Sequence, residues 1–283
     1  MKKLLVMMLA MLLLCLPALA ETTIFCDGEA GDPAYEISQR LAEELGGSVM
    51  SAPGALEAMN LFLAAEKDGA VFIGDPSAMI LSLQGYTAAD LRTAIIPAAK
   101  IAASPAIMYA VQGVLDICAD VSAEGIQAYT ENAPFELFIA RLIDASPVDY
   151  LTLEASAMFY VDQSLYMDWD EMAQAIQDGA VDLCVFGADM PAELDGLLTP
   201  LYDTGLEGPF LGAFVHTGAA NAEAVEAAVL ALAEQTEIAE LLQAAGYTPG
   251  TQKDSAAFAE EVSALFRQYI QYLTNEGLFF YEF

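Results

Sequence analysis

Residues 22–76 read TTIFCDGEAGDPAYEISQRLAEELGGSVMSAPGALEAMNLFLAAEKDGAVFIGDP, and this stretch decides the fold. Thr22-Thr23-Ile24-Phe25-Cys26 is rich in β-branched and aromatic residues, the composition of a strand. A polar loop, Asp27-Gly28-Glu29-Ala30-Gly31-Asp32, leads to Pro33, and proline suits the first turn of a helix. Ile37, Leu41 and Leu45 then recur four apart and make one apolar stripe. Gly46-Gly47 stops that helix, and Ser48-Val49-Met50 is a second strand. Ala55 to Glu66 predicts another helix, and Ala70-Val71-Phe72-Ile73 a third strand running into Gly74-Asp75-Pro76. Strand and helix alternating at this spacing are the signature of an α/β fold with a parallel sheet. Ligands collect at the carboxyl ends of such strands, which here means the loops Asp27–Tyr35 and Gly74–Ser77.

Further along, the pattern repeats. Two apolar runs, Ile95–Ala98 and Ala106–Val111, flank Ser104-Pro105. Pro134 to Ala145 predicts a helix and Asp149 to Leu153 a strand. Asp168 with Glu171 three residues on forms a capping box. That helix, with Trp169 and Met172 as packing residues, closes at Gly179 before the apolar run Val181–Phe186 and Gly187. Asp68-Gly69-Ala70-Val71 and Asp178-Gly179-Ala180-Val181 are similar in sequence and place, as two lobes built on one plan would be. Phe210–Val215 is a strand, Val225, Val229 and Leu232 share a helix face, and Glu237–Ala245 is a short helix. A final helix aligns Phe258, Val262, Leu265, Tyr269 and Leu273, a stripe that needs the first lobe as its partner. The expected organisation is residues 21–103 plus 216–283 in lobe one and 104–215 in lobe two, with a ligand cleft between them.

Composition narrows the function. The 283 residues carry 41 Asp+Glu, 9 Lys+Arg and one His, with 56% hydrophobic residues. Such a chain buries a full core, and its negative field repels nucleic acid. Residues 1–20 combine Lys2-Lys3, an apolar run and Ala18-Leu19-Ala20, the features of a secretory signal peptide cleaved after Ala20. A retained anchor is the alternative, as is tethering through Cys15, although Leu14 is a poor neighbour for lipidation. Cys26, Cys118 and Cys184 remain in the mature chain, where an odd count leaves a thiol over and one disulfide stays open. His216 alone supplies too little for a zinc site or a His-based triad. No metal or cofactor is expected.

Several segments, in this order, resemble the substrate-binding proteins of the tripartite tricarboxylate transporter family. They are Leu41-Ala42-Glu43-Glu44-Leu45-Gly46, Pro53-Gly54-Ala55, Asp68-Gly69 before a strand, and Gln177-Asp178-Gly179-Ala180-Val181-Asp182. Phe214-Val215-His216-Thr217-Gly218 and Leu242-Gln243-Ala244-Ala245-Gly246-Tyr247-Thr248-Pro249 complete the series. The resemblance implies a two-lobed periplasmic-binding-protein-like fold of type II. It also implies an extracytoplasmic receptor without catalysis, a monomer that hands a small carboxylate to membrane transporter subunits. The departures are Tyr35 where the family has Asp, Gln39 where it has Arg, Asp32-Pro33 in the Gly loop, and Leu56-Glu57 after Pro-Gly-Ala. Residues 105 to 165 match poorly.

The candidate ligand-binding residues are Asp27, Glu29, Gly31, Asp32, Tyr35, Asp75, Ser77, Thr130, Asn132 and Asp189. Three carboxylates within six residues of the first loop repel a carboxylate ligand unless protonated, which favours an amine or zwitterion. The competing reading makes them solvent-facing caps. Tyr35 either stacks on a ligand or covers lobe-one core. Thr130, Glu131 and Asn132 precede the helix expected at Pro134, and Asp189 follows the strand that ends at Gly187. His216 reads as structural rather than as a ligand contact. The alternatives to this receptor are one serving an ATP-driven or other secondary importer, and a secreted hydrolase. No Gly-x-Ser-x-Gly or His-Glu-x-x-His motif supports the hydrolase.

Overall fold

A computed structural model describes residues 22–75, 91–132, 137–142, 162–166, 168–187 and 190–275. The leader, Ser77, the strand expected at Asp149–Leu153, and Asp189 lie outside the described residues.

The opening stretch folds as its periodicity dictates. β1 (Thr23–Cys26), α1 (Pro33–Leu45), β2 (Ser48–Ser51), α2 (Ala55–Ala64) and β3 (Ala70–Gly74) follow one another. β1 pairs in parallel with β2 on one side and β3 on the other. Ile37 and Leu41 are buried in one core cluster, with Leu45 packed against it. Gly46 ends α1 in the left-handed region at φ 67°, its N–H donating to the Ala42 carbonyl, the glycine-dependent helix stop.

After α3 (Leu91–Ala94) comes β4 (Ile95–Ala110). The two apolar runs on either side of Ser104-Pro105 are therefore one 16-residue strand. It tolerates Pro105 because the pairing register shifts on both sides of that residue, where no ladder N–H is needed. α4 (Gln112–Ile117), α5 (Ala123–Asn132), β5 (Phe138–Leu142), β6 (Asp162–Tyr166), α6 (Trp169–Gln177) and β7 (Leu183–Phe186) build the middle of the chain. Here one expectation fails. Within the span read as a helix from Pro134 to Ala145, residues Phe138–Leu142 form a strand. β5 lies between β6 and β7 with parallel pairing on both sides, and Leu137, Ile139 and Ala140 are buried. A short apolar run cannot be told from a buried helix by period; the two flanking strands decide it.

β8 (Thr199–His216), α7 (Ala222–Ala233), α8 (Thr236–Ala244) and α9 (Ser255–Asn275) complete the chain. Val225, Val229 and Leu232 of α7 face the same core cluster as Ile37 and Leu41. On the opposite sheet face, Phe258 and Val262 of α9 join Phe25, Phe62, Phe72 and Phe214, so the last helix does close the first lobe.

The sheet order is β2-β1-β3-β8-β4-β7-β5-β6. It contains one plan twice. β1 lies between β2 and β3, with β8 antiparallel beside β3; β5 lies between β6 and β7, with β4 antiparallel beside β7. Each half thus borrows its antiparallel strand from a long element shared with the other. Asp68-Gly69 and Asp178-Gly179 introduce β3 and β7, the equivalent strands of the two plans.

Candidate functional site

Register fixes where the strand ends point. Gly74 at the end of β3 pairs with Gly212, whereas Val71 pairs with Val215. Phe186 at the end of β7 pairs with Ile107, whereas Leu183 pairs with Ala110. Between these levels β4 and β8 cross from one half to the other, Ala103 opposite Phe210 and Ile107 opposite Asp203. The carboxyl ends of the parallel strands in both halves therefore face each other across the crossing.

On the first side stand Asp27 and Asp75, just beyond β1 and β3. Asp75 Oδ2 accepts the Phe210 N–H at 2.9 Å, tying the end of β3 to the incoming β8. Asp27 is half-buried, and its carboxyl is pushed up to about 6, first by burial and then by the charges of Asp75 and Asp32, against a hydrogen bond to its own backbone. Gly28 follows, packed close to α1. A Cβ there would lie 3.0 Å from the Asp32 Cβ and 3.1 Å from the Tyr35 nitrogen, so this residue sets the loop directly against the first turn of α1. Ser51 Oγ donates to the Gly28 carbonyl at 2.6 Å.

The remaining loop acids hold the loop itself. Asp32 Oδ2 accepts the Glu29 N–H at 2.7 Å, and Glu36 Oε1 accepts the Gly31 N–H at 3.1 Å. Glu29, Gly31 and Asp32 are exposed. Asp32 is the N-cap residue of α1 yet makes no side-chain cap bond, and Pro33 has no N–H. The first-turn amides of Ala34 and Tyr35 are left uncapped by Asp32, the arrangement that suits an anion. Tyr35 is half-buried against core, and its hydroxyl accepts from Gln39 Nε2 at 3.0 Å, one turn further along α1. Tyr35 and Gln39 thus form a neutral hydrogen bond.

On the second side the strand end carries an aromatic cluster in which Phe186 and Tyr109 are buried. Phe186 stacks on Tyr109 at 4.3 Å and 19° and meets the edge of Trp169 at 6.3 Å. Tyr109 Oη donates to the Gly187 carbonyl at 3.2 Å. Trp169 is held at the start of α6 because Asp168 Oδ1 accepts the Glu171 N–H at 2.8 Å, half of the expected capping box. Phe186 and Tyr109 are buried in one core cluster with Met172 and Ile176, and Phe210 is buried under the Lys100 ammonium.

Thr130 and Asn132 do not precede a helix: they close α5, just ahead of β5. The start of β5 lies at the level of Leu183, away from the crossing, so these two are not brought to the strand ends. His216 is buried, stacked on Phe62 at 4.3 Å, with Nε2 3.0 Å from the Phe62 carbonyl; it is a core residue. Cys26, Cys118 and Cys184 are free, buried thiols. Among the described residues, no group of three or more His, Cys, Asp or Glu is arranged to hold a metal ion, and no helix is long and apolar enough to cross a membrane.

No protein-family model matches the sequence, and no curated protein matches it. Solved structures do. A TctC solute binding protein from Polaromonas is similar at a TM-score of 0.65 and 14% identity, covering 90% of this chain and 98% of its own. An R. palustris protein solved with adipate gives 0.64 and 16%, covering 93% and 98%. MatC from Rhodopseudomonas palustris with bound malate gives 0.62 and 17%, covering 89% and 98%. This chain has the two-lobed periplasmic-binding-protein-like fold. Asp27, Asp75 and the first turn of α1 stand at the strand ends of one half, and the Phe186–Tyr109–Trp169 cluster stands at those of the other.

Proposed function

We propose that this chain is an extracytoplasmic solute-binding receptor of the tripartite tricarboxylate transporter type. It takes a small carboxylate into the interlobe cleft and delivers it to a membrane transporter without making or breaking bonds. The observation that carries the reading is the facing of the two sets of strand ends across β4 and β8. The likeness in fold to proteins solved with adipate and malate supports it. So does the uncapped first turn of α1, which offers backbone N–H groups to an anion. Lobe one is residues 21–103 plus 216–283, and lobe two is residues 104–215. A signal peptide ending at Ala20 exports the protein, and a ligand bridging both walls shifts the population towards a closed form.

Asp27 gives a second reading its footing. A half-buried carboxylate beside the same first turn suits an amine or zwitterion when ionised. A thermal-shift screen of residues 21–283 against malate, adipate, amino acids and polyamines separates the two, because a specific ligand stabilises the folded state by mass action. Stabilisation by dicarboxylates supports the first reading and stabilisation by amines alone the second. Turnover of a screened compound would overturn the receptor altogether.

A further inference from the structure

In the first lobe β4 has β8 on one side, and its other edge is covered by residues 246–253, between α8 and α9. Lys100 and Lys253 exchange backbone hydrogen bonds at 3.0 and 3.2 Å, and Thr248 N–H donates to the Ala103 carbonyl at 2.7 Å. Ala103 N–H donates to Thr251 Oγ1 at 2.9 Å, and Ser104 Oγ donates to the Gly246 carbonyl at 3.4 Å. The far end of the segment is anchored by charge. Lys100 Nζ, with its side chain fully buried, lies 2.8 Å from Glu261 Oε1 of α9, and Lys253 Nζ lies 3.1 Å from the same oxygen. The Lys100 ammonium also sits 4.1 Å over the Phe210 ring.

In the second lobe the same edge of β4 is taken by β7, but only from Ile107 onward. Pro105 and Ala106 are left with neither the segment nor β7 beside them. There β8 is paired out of register: Pro105 meets Glu207, Thr204 Oγ1 donates to the Ala106 carbonyl at 2.7 Å, and between Ala103–Phe210 and Ile107–Asp203 four steps of β4 face seven of β8. Pro105 adds no N–H to this ladder.

We propose that residues 246–253 are a hinge strap that holds β4 rigid up to Ser104 and confines the pivot between the lobes to Pro105–Ala106 and the facing stretch of β8. The inference rests on the receptor reading only for the use of the motion. The strap, α9 and Phe210 belong to the fixed side. Because the Phe210 N–H grips Asp75, the pivot is joined directly to one wall of the cleft.

Thr251→Val tests this, since it removes the acceptor of the Ala103 amide and keeps the side-chain volume. Hydrogen exchange at Ala103, Thr248 and Lys253 should quicken about fivefold, the effect of losing one net hydrogen bond, with the amides of β3 and β7 unchanged. Spin labels at Met50→Cys and Ile117→Cys, both exposed positions on opposite lobes, should report a broader distance distribution in Thr251→Val than in the parent. An unchanged distribution with faster strap exchange overturns the proposal. If the variant does not fold, the parent decides: strap amides as slow as those of Val71–Ile73 support a fixed strap, and loop-like exchange overturns it. No ligand enters either measurement, so a failed search for one bears on the receptor and not on the hinge.

Discussion

Asp27 and Asp75 stand just past the carboxyl ends of adjacent parallel strands, and burial, helped by the charge of Asp75, raises the Asp27 carboxyl to about 6. A carboxyl raised in the folded state binds its proton more tightly there than in the unfolded chain. Its contribution to stability is therefore present at low pH and is lost as pH rises from the ordinary aspartate range through about 6. The loss amounts to about 1–3 kcal/mol for this one group. Asp27→Asn should recover that amount above pH 7 and change little near pH 4. Urea unfolding of parent and variant at both pH values checks it, and equal differences at the two would exclude burial of an ionisable Asp27.

Lys100 and Glu261 make a second prediction. Removing one partner of a buried ion pair leaves the other charge stranded, at a cost of about 3–5 kcal/mol. Glu261→Ala takes the same acceptor oxygen from both Lys100 and Lys253 and should cost about 3–5 kcal/mol. Lys100→Met combined with Glu261→Leu should recover much of the loss. Denaturant midpoints of the single and double variants give the answer, and additive losses would mean that the pair is not coupled.

His216 is expected to matter for packing and not for ligand. It stacks on Phe62 and meets the Phe62 carbonyl, so His216→Leu should cost about 1–2 kcal/mol through the lost polar contact and ring stacking. Affinity for any ligand found in the thermal screen should stay within about twofold, a change below the usual effect of a lost contact. A large loss of affinity with unchanged stability would move His216 into the cleft.

The first lobe was legible because its periods are unambiguous. Ile37, Leu41 and Leu45 can only be a helix face, and Asp68-Gly69 can only introduce the next strand. The rule about strand ends placed Asp27 and Asp75 just past β1 and β3, where they stand. Lobe two yielded less. Leu137-Phe138-Ile139-Ala140 carries no period, and its strand state depends on β6 and β7, which are distant in sequence. With that strand in place, Thr130 and Asn132 close α5 ahead of β5 instead of opening a helix. Nor could the sequence show that Asp32 would turn back to Glu29 instead of capping α1, because either bond satisfies the same side chain. The strap was equally hidden: Thr248 and Lys253 meet β4 about 150 residues away, a pairing that local pattern does not encode.

Trp169 offers the most direct view of closure. It is the chain's single tryptophan, half-buried at the first position of α6, in T-shaped contact with Phe186 at the end of β7. A ligand that draws the opposite wall towards Phe186 removes water from this ring, and indole emission then moves to shorter wavelength. Titration with a ligand that stabilises the protein should give a saturable blue shift whose midpoint matches the dissociation constant from calorimetry. Trp169→Phe should abolish the signal while leaving affinity within about threefold, since the smaller ring keeps the aromatic edge contact. A ligand that binds tightly without altering Trp169 emission would place binding away from the strand ends of lobe two, and the facing-wall account of the cleft would fall with it.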